Sequence, residues 1–163
     1  MVSARGAIEA MSTSRWFRRW GPPVIPRLDR AVHRITGGRL LMSQGMISCL
    51  LLTTTGRRSG LPRSVPLACL PDSDGSFLVV TSNFGRQQEP SWSANLLRDP
   101  QATVSYRRAD LTVDARELGP EDVAAVWPRL VRMWPPYGHY GEIAGRKLKV
   151  FRLVPREPSA GAQ

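Results

Sequence analysis

Threonine and serine hydroxyls, two glycines and three arginines crowd into one short stretch, Thr53-Thr54-Thr55-Gly56-Arg57-Arg58-Ser59-Gly60-Leu61-Pro62-Arg63. Glycines let a turn aim its backbone N–H groups at a ligand, hydroxyls add donors, and each guanidinium can fork two hydrogen bonds onto one phosphate or carboxylate. The stretch reads as an anion cradle, with a solvated basic turn as the competing account. It is no Walker loop, because no Gly-Lys-Ser/Thr opens a helix, and no Rossmann fingerprint, because no helix follows.

Three further segments carry polar or aromatic groups suited to a ligand. Thr81-Ser82-Asn83-Phe84-Gly85-Arg86 ends an apolar run with polar groups and a glycine, either a ligand loop or an ordinary connection. Trp92 and Asn95, three residues apart on one helix face, present an indole and an amide to a planar ring or else pack in the core. Trp134-Pro135-Pro136-Tyr137-Gly138-His139-Tyr140 offers stacking surfaces and phenol donors for a flat substrate, or buried packing. His33 and His139 have no evident catalytic partner, and no Ser/His/Asp set, spaced carboxylate pair or metal cluster is discernible, so an enzyme of this kind must borrow a cofactor.

The elements that must position these groups follow from local pattern. Ile47 to Thr54 and Ser64 to Leu70 read as strands on either side of the glycine-bounded connection, a hairpin, and Phe77 to Ser82 extends them into a meander across the turn Pro71-Asp72-Ser73-Asp74-Gly75. Pro90 to Arg98 is helical up to Asp99-Pro100. Ala102 to Tyr106 and Leu111 to Glu117 form a second hairpin around Arg107 to Asp110. A helix then runs from Pro120-Glu121-Asp122, acids at its first turn, to about Trp134, and Leu148 to Val154 is the last strand. About six mostly antiparallel strands with inserted helices predict an α+β fold that is mainly β, a small closed or partly open barrel.

The 163 residues suit one domain with tails. Of the net charge of +10, residues 1 to 45 hold eight arginines against Glu9 and Asp29. The 21 arginines to 2 lysines are read as codon bias in a GC-rich genome. Residues 1 to 11 are expected to be disordered. From Ser12 to Trp20, Trp16, Phe17 and Trp20 lie among Arg15, Arg18 and Arg19, suiting an anionic membrane surface or docking on the domain or a partner subunit. Arg27 to Ile35 reads as a helix with Leu28, Ala31, Val32 and Ile35 on one face. Cys49 and Cys69 read as buried free thiols, in preference to a disulfide, and with no secretory signal or spanning helix the expected location is cytoplasmic, with peripheral membrane contact through residues 12 to 35.

Several segments together, Leu51 to Gly60, Pro62-Arg63, Pro66-Leu67, Pro90-Ser91-Trp92, Asn95-Leu96, Asp99-Pro100, Pro136-Tyr137, Tyr140 and the Arg146 segment, resemble the deazaflavin-dependent nitroreductase family, the coenzyme F420-using branch of the split β-barrel flavin-binding superfamily. The resemblance runs from about Thr36 to Pro155. It implies a split β-barrel like those that bind FMN, with an extension over 1–35, the barrel over 36–155 and a disordered tail over 156–163. It further implies that Thr55, Gly56, Arg57, Arg58, Ser59 and Arg63 hold the phosphate and acidic tail of the cofactor. Pro66, Val80, Thr81, Ser82, Asn83, Arg86, Trp92 and Asn95 would complete its binding site. Ala68, Trp134, Tyr137 and Tyr140 would line the substrate pocket, with the two tyrosines as proton donors and no essential nucleophile.

Three departures stand out. Asn83 replaces a lysine of many relatives, with Arg86 nearby to restore the charge; Ser93 replaces an aromatic; Ala68 replaces a tyrosine of some relatives, reshaping the pocket. The reading is an oxidoreductase that uses reduced coenzyme F420 to deliver hydride to a small electron-poor acceptor such as a quinone, nitroaromatic or enone. Its rivals are an FMN-binding barrel, and a non-catalytic protein that carries a cofactor or binds nucleic acid. The nucleic-acid rival calls for aromatics interleaved with arginines across an open sheet, a pattern the chain lacks. Dimerisation is implied by the resemblance alone.

Overall fold

A computed structural model describes residues 47–156. The expectations for 1–35, for the membrane contact through 12–35 and for the tail beyond Arg156 lie outside these residues. Seven strands form one antiparallel sheet: β1 (Cys49–Thr55), β2 (Pro62–Ala68), β3 (Leu70–Pro71), β4 (Phe77–Val80), β5 (Gln101–Tyr106), β6 (Ala109–Glu117) and β7 (Val150–Pro155), in the order β2-β1-β5-β6-β7-β4-β3. Helix α1 (Ser91–Arg98) enters before β5, and α2 (Pro120–Met133) and α3 (Tyr137–Ala144) between β6 and β7.

β2 and β3 stand at opposite edges of this order, yet only Cys69 separates them in sequence. The sheet therefore has to curl into a half-barrel. Leu50, Leu52, Phe77, Val79, Val104, Val113, Phe151 and Leu153 fill its interior, with Trp92 and Leu96 of α1. A second core, of Leu78, Val80, Leu118, Val126, Leu130, Tyr137, Tyr140, Leu148 and Val150, joins the outer face of β4 and β7 to α2 and α3. Such burial is the main stabilising term, and β4, apolar on both faces, serves both cores.

The meander is corrected. The β1–β2 and β3–β4 hairpins form, but the run from Ser64 to Leu70 breaks at Cys69, whose N–H donates to Ser48 O, and β4 pairs with β7 on its other side. The strand from Phe77 ends at Val80, so Thr81 and Ser82 lie beyond it. The cradle hairpin closes with Thr55 opposite Pro62, and the prolines of β2 sit on an edge strand, where a missing donor costs least. Cys49 and Cys69 are buried free thiols.

Asp72 welds the β3–β4 turn to the helical layer. Its carboxylate accepts from Arg129 of α2 at 3.0 Å and from Arg152 of β7 at 3.1 Å, while Arg152 also reaches Ser76 Oγ at 2.9 Å. The Arg129 hydrogen bond, then the Ser73 N–H, holds the Asp72 carboxyl at about 2, below its usual 3.8. A depressed carboxylate pKa stabilises the fold fully above the unfolded value, and that contribution fades as pH falls from about 4 toward 2. Asp72→Asn should therefore cost roughly 1–2 kcal/mol at pH 7. Urea midpoints at pH 7 and pH 3 check this: the gap between variant and parent should narrow at the lower pH.

Candidate functional site

The ladders place several loops at one end of the half-barrel. Thr55 with Pro62, Val80 with Val150, Gln101 with Asp114 and Glu117 with Phe151 are the pairings at that end, so the cradle loop, the segment after β4 and both ends of α1 gather there. The Arg107-Arg108 turn and Ala68, opposite Cys49, belong to the other end.

The cradle loop is folded tightly. Gly56 N–H donates to Leu61 O at 2.8 Å and Gly60 N–H to Gly56 O at 2.7 Å. A Cβ on Gly56 would sit 2.6 Å from Ser59 Oγ, which can rotate away, and 3.1 Å from the backbone O of Leu61, which must give by a few tenths of an ångström. From α1, Asn95 Oδ1 accepts the Arg57 N–H at 3.0 Å, Asn95 Nδ2 donates to Thr54 Oγ1 at 3.0 Å, and Arg98 donates to Arg57 O at 2.8 Å. Asn95 is only 4% exposed, and both arms of its amide are spent on the hairpin. Arg63 Nη2 lies 3.5 Å from Ser59 Oγ. The Arg57 and Arg58 side chains are exposed and form no ion pair among the described residues, and no acid occurs between Thr53 and Arg63. A rigid, glycine-closed turn with free guanidinium groups fits the anionic tail of a phosphorylated cofactor.

The second loop is held from behind. Thr81 is fully buried: its N–H donates to Lys149 O and its Oγ1 accepts the Lys149 N–H, each at 2.9 Å. Asn83, Phe84 and Gly85 then follow one another at φ of 42°, 54° and 75°, a left-handed turn closed by the Gly85 N–H on Ser82 O at 2.9 Å. Asn83 Nδ2 donates to Gln88 O at 2.8 Å. A Cβ on Gly85 would meet Tyr140 Cδ1 and Ile143 Cγ2, both at 3.2 Å, so α3 seals the inner side of the turn. From the segment after α3, Arg146 donates to Thr81 O at 2.7 Å, Ser82 O at 3.4 Å and Arg86 O at 3.2 Å. Partial burial lowers the Arg146 pKa, opposed by the Glu89 charge.

The remaining expected site residues separate into groups. Trp92 is buried edge-on against Phe151, with ring centroids 5.6 Å apart, so its indole belongs to the interior core. Val80, Tyr137 and Tyr140 share the second core, with Trp134 packed against it. Tyr137 and Tyr140 meet edge-on at 6.3 Å, and burial, with Cys49, Tyr140 and Cys69 close by, pushes the Tyr137 hydroxyl above the ordinary phenol range. Pro66, opposite Leu51, and Ala68 are half-buried on β2, and Arg86 is exposed at the end of the left-handed turn. Arg146 and Arg98 are the contributors that residue-by-residue reading overlooked. Their sole sequence signal is an arginine beside a helix end, which Arg98 shows before Asp99-Pro100 and Arg146 shows after Gly145.

A curled antiparallel half-barrel with a glycine-closed, arginine-bearing turn and a helix-backed second loop at one end defines a split-barrel protein. The profile of the F420H(2)-dependent quinone reductases matches residues 25–155, and the chain belongs to that family. It is 32% identical over 125 residues, 76% of this chain and 80% of the relative, to an F420H(2)-dependent quinone reductase of Mycobacterium tuberculosis. Among solved structures, an F420-H2 dependent reductase, FDR-A, is 34% identical with a TM-score of 0.59 over 65% of this chain and 93% of its own. A chain described as a domain-swapped dimer is 29% identical with a TM-score of 0.62 over 85% and 96%. Coenzyme F420 is thus the cofactor that family membership indicates, and the described residues hold no helix long and apolar enough to cross a membrane.

Proposed function

We propose that this chain binds reduced coenzyme F420 with its anionic tail on Thr55, Gly56, Arg57, Arg58, Ser59 and Arg63 and passes hydride to a small quinone-type acceptor. The observation that carries the reading is the pair of guanidinium groups, Arg57 and Arg58, exposed and without an ion pair among the described residues, on a turn pinned by Asn95 and Arg98. When bound, the deazaflavin supplies a two-electron hydride donor. The protein's part is to bind, orient and exclude water. Val80, Thr81, Ser82, Asn83 and Arg86 would border the ring, with the carbonyls of Thr81, Ser82 and Arg86 held by Arg146 and Thr81 also bonded to Lys149, and Trp92 and Asn95 stiffen the helix between the two loops.

Trp134, Tyr137 and Tyr140 would wall the acceptor side, while Ala68, paired with Cys49 at the other end of the half-barrel, lies away from the gathered loops. The raised Tyr137 pKa keeps this phenol protonated, the form that donates a hydrogen bond to a developing oxyanion; complete proton release from so dry a site is costly, which favours water as the final source. A homodimer is supported by the relative described as a domain-swapped dimer, and membrane contact through residues 12–35 by their arginine and aromatic composition. The test is a fluorescence titration of the purified protein with coenzyme F420 beside FMN, followed by quinone reduction. Saturable preference for F420 supports the reading. Preference for FMN, or binding of neither, overturns it.

A further inference from the structure

We infer that Arg146 is a positioning residue whose task is to hold the left-handed Asn83–Gly85 turn, and that it thereby sets cofactor affinity without touching the cofactor. The inference rests on the proposed cofactor site. Its carrying observation is a conflict in the backbone: Phe84 sits at φ 54° and ψ 34°, where glycine is at ease and an aromatic L-residue is strained. Strain of this kind survives only where the surroundings over-determine it. The guanidinium supplies that constraint. It takes the carbonyls of Thr81 and Ser82 before the turn and of Arg86 after it, bracketing the strained residue from both sides.

The remaining holds flank the turn or seal its inner face. Asn83 is bonded to Gln88 O, Gly85 is lodged against Tyr140 and Ile143, and Lys149 pairs with Glu89 at 3.1 Å. Among the described residues, Arg146 takes backbone carbonyls on both sides of the turn, across 60 to 65 residues of sequence, whereas Lys149, which bonds Thr81 before the turn, reaches the far side only through its side-chain ion pair with Glu89. A planar fork can satisfy three carbonyls at once, whereas the single ammonium of lysine cannot match that geometry. Gly145, at φ 62°, ends α3 and delivers Arg146 to this place, so the clasp is anchored on the same helix whose Tyr140 seals the turn.

The experiment is a fluorescence titration with coenzyme F420 on the parent, Arg146→Met, Arg146→Lys and the double variant Arg146→Met with Phe84→Gly, with thermal melts to establish folding. Losing the clasp should raise the Kd about tenfold in Arg146→Met, the size of effect that one strained residue can hold back. Arg146→Lys should fall between this variant and the parent. The double variant should bind more tightly than Arg146→Met alone, because glycine removes the strain the clasp was opposing. A general structural role would give no such rescue. An unchanged Kd in a folded Arg146→Met, or a double variant that binds as weakly as the single one or worse, overturns the inference. Failure of the parent itself to bind coenzyme F420 strikes the cofactor reading instead.

Discussion

Arg57→Ala combined with Arg58→Ala is expected to weaken coenzyme F420 binding about 100-fold, since each charge-assisted contact to an anionic tail is worth about a factor of ten at an exposed site. The fold should be indifferent. Both side chains are exposed and form no ion pair among the described residues, and the hydrogen bonds that shape the loop use the backbone of Arg57 and the side chains of Asn95 and Arg98, all retained in the variant. Melting temperatures should stay within about 3 °C. General electrostatics is a rival explanation, because the variant also loses two positive charges. Arg107→Ala with Arg108→Ala loses the same charge at the opposite end of the sheet, where Arg107 rests on the Tyr106 ring. If binding is governed by the cradle, the first double variant loses affinity and the second keeps it. Equal losses in both would reduce the cradle to a contribution to net charge, and no loss in the first would remove it.

The hairpin that carries the proposed cradle was legible because its turn chemistry is local. Glycines at positions 56 and 60, hydroxyls around them and Pro62 on an edge strand specify a tight hairpin wherever the rest of the chain goes, and Arg107-Arg108 likewise forms a two-residue turn, at φ of 45° and 71°. The barrel class was legible, but the partner of β4 within it was not. Whether β4 lies beside β2 or beside β7 depends on a curl imposed by the whole core, and the only local hint is that the apolar run Val65 to Leu70 is broken by Cys69 bonding back to Ser48. Helix α3 was missed for a related reason. Pro135, Pro136, Gly138 and Gly141 are poor helix formers, and the helix exists because Tyr137 and Tyr140 join residues of β4 and β7 in the second core and Ala144 is buried as well. The clasp of Arg146 eluded sequence reading because its acceptors are backbone carbonyls, which carry no residue identity at all.

Asn95 tests how far the cradle depends on its support. In the sequence it could as well have faced a ligand as the core; in the structure its oxygen takes the Arg57 N–H and its nitrogen reaches the Thr54 hydroxyl, itself only 2% exposed. Asn95→Leu keeps the branching and heavy-atom count and removes both bonds, leaving the Thr54 hydroxyl and the Arg57 amide without this partner. The expected cost is about 2–4 kcal/mol of stability by urea unfolding, together with a roughly tenfold weaker Kd for coenzyme F420 as the Arg57 backbone loses its anchor. Asn95→Asp separates the two effects. A carboxylate oxygen still accepts the Arg57 N–H, and the Thr54 hydroxyl can rotate to donate, so the loop keeps its shape and part of the stability returns. The new negative charge lies beside the turn proposed to take the anionic tail, so affinity should stay low at modest ionic strength and recover partly as salt screens the repulsion. An aspartate variant with parental affinity at low salt would show that the anionic tail docks away from Arg57. A leucine variant with parental stability and affinity would show that the hairpin holds its own shape without α1.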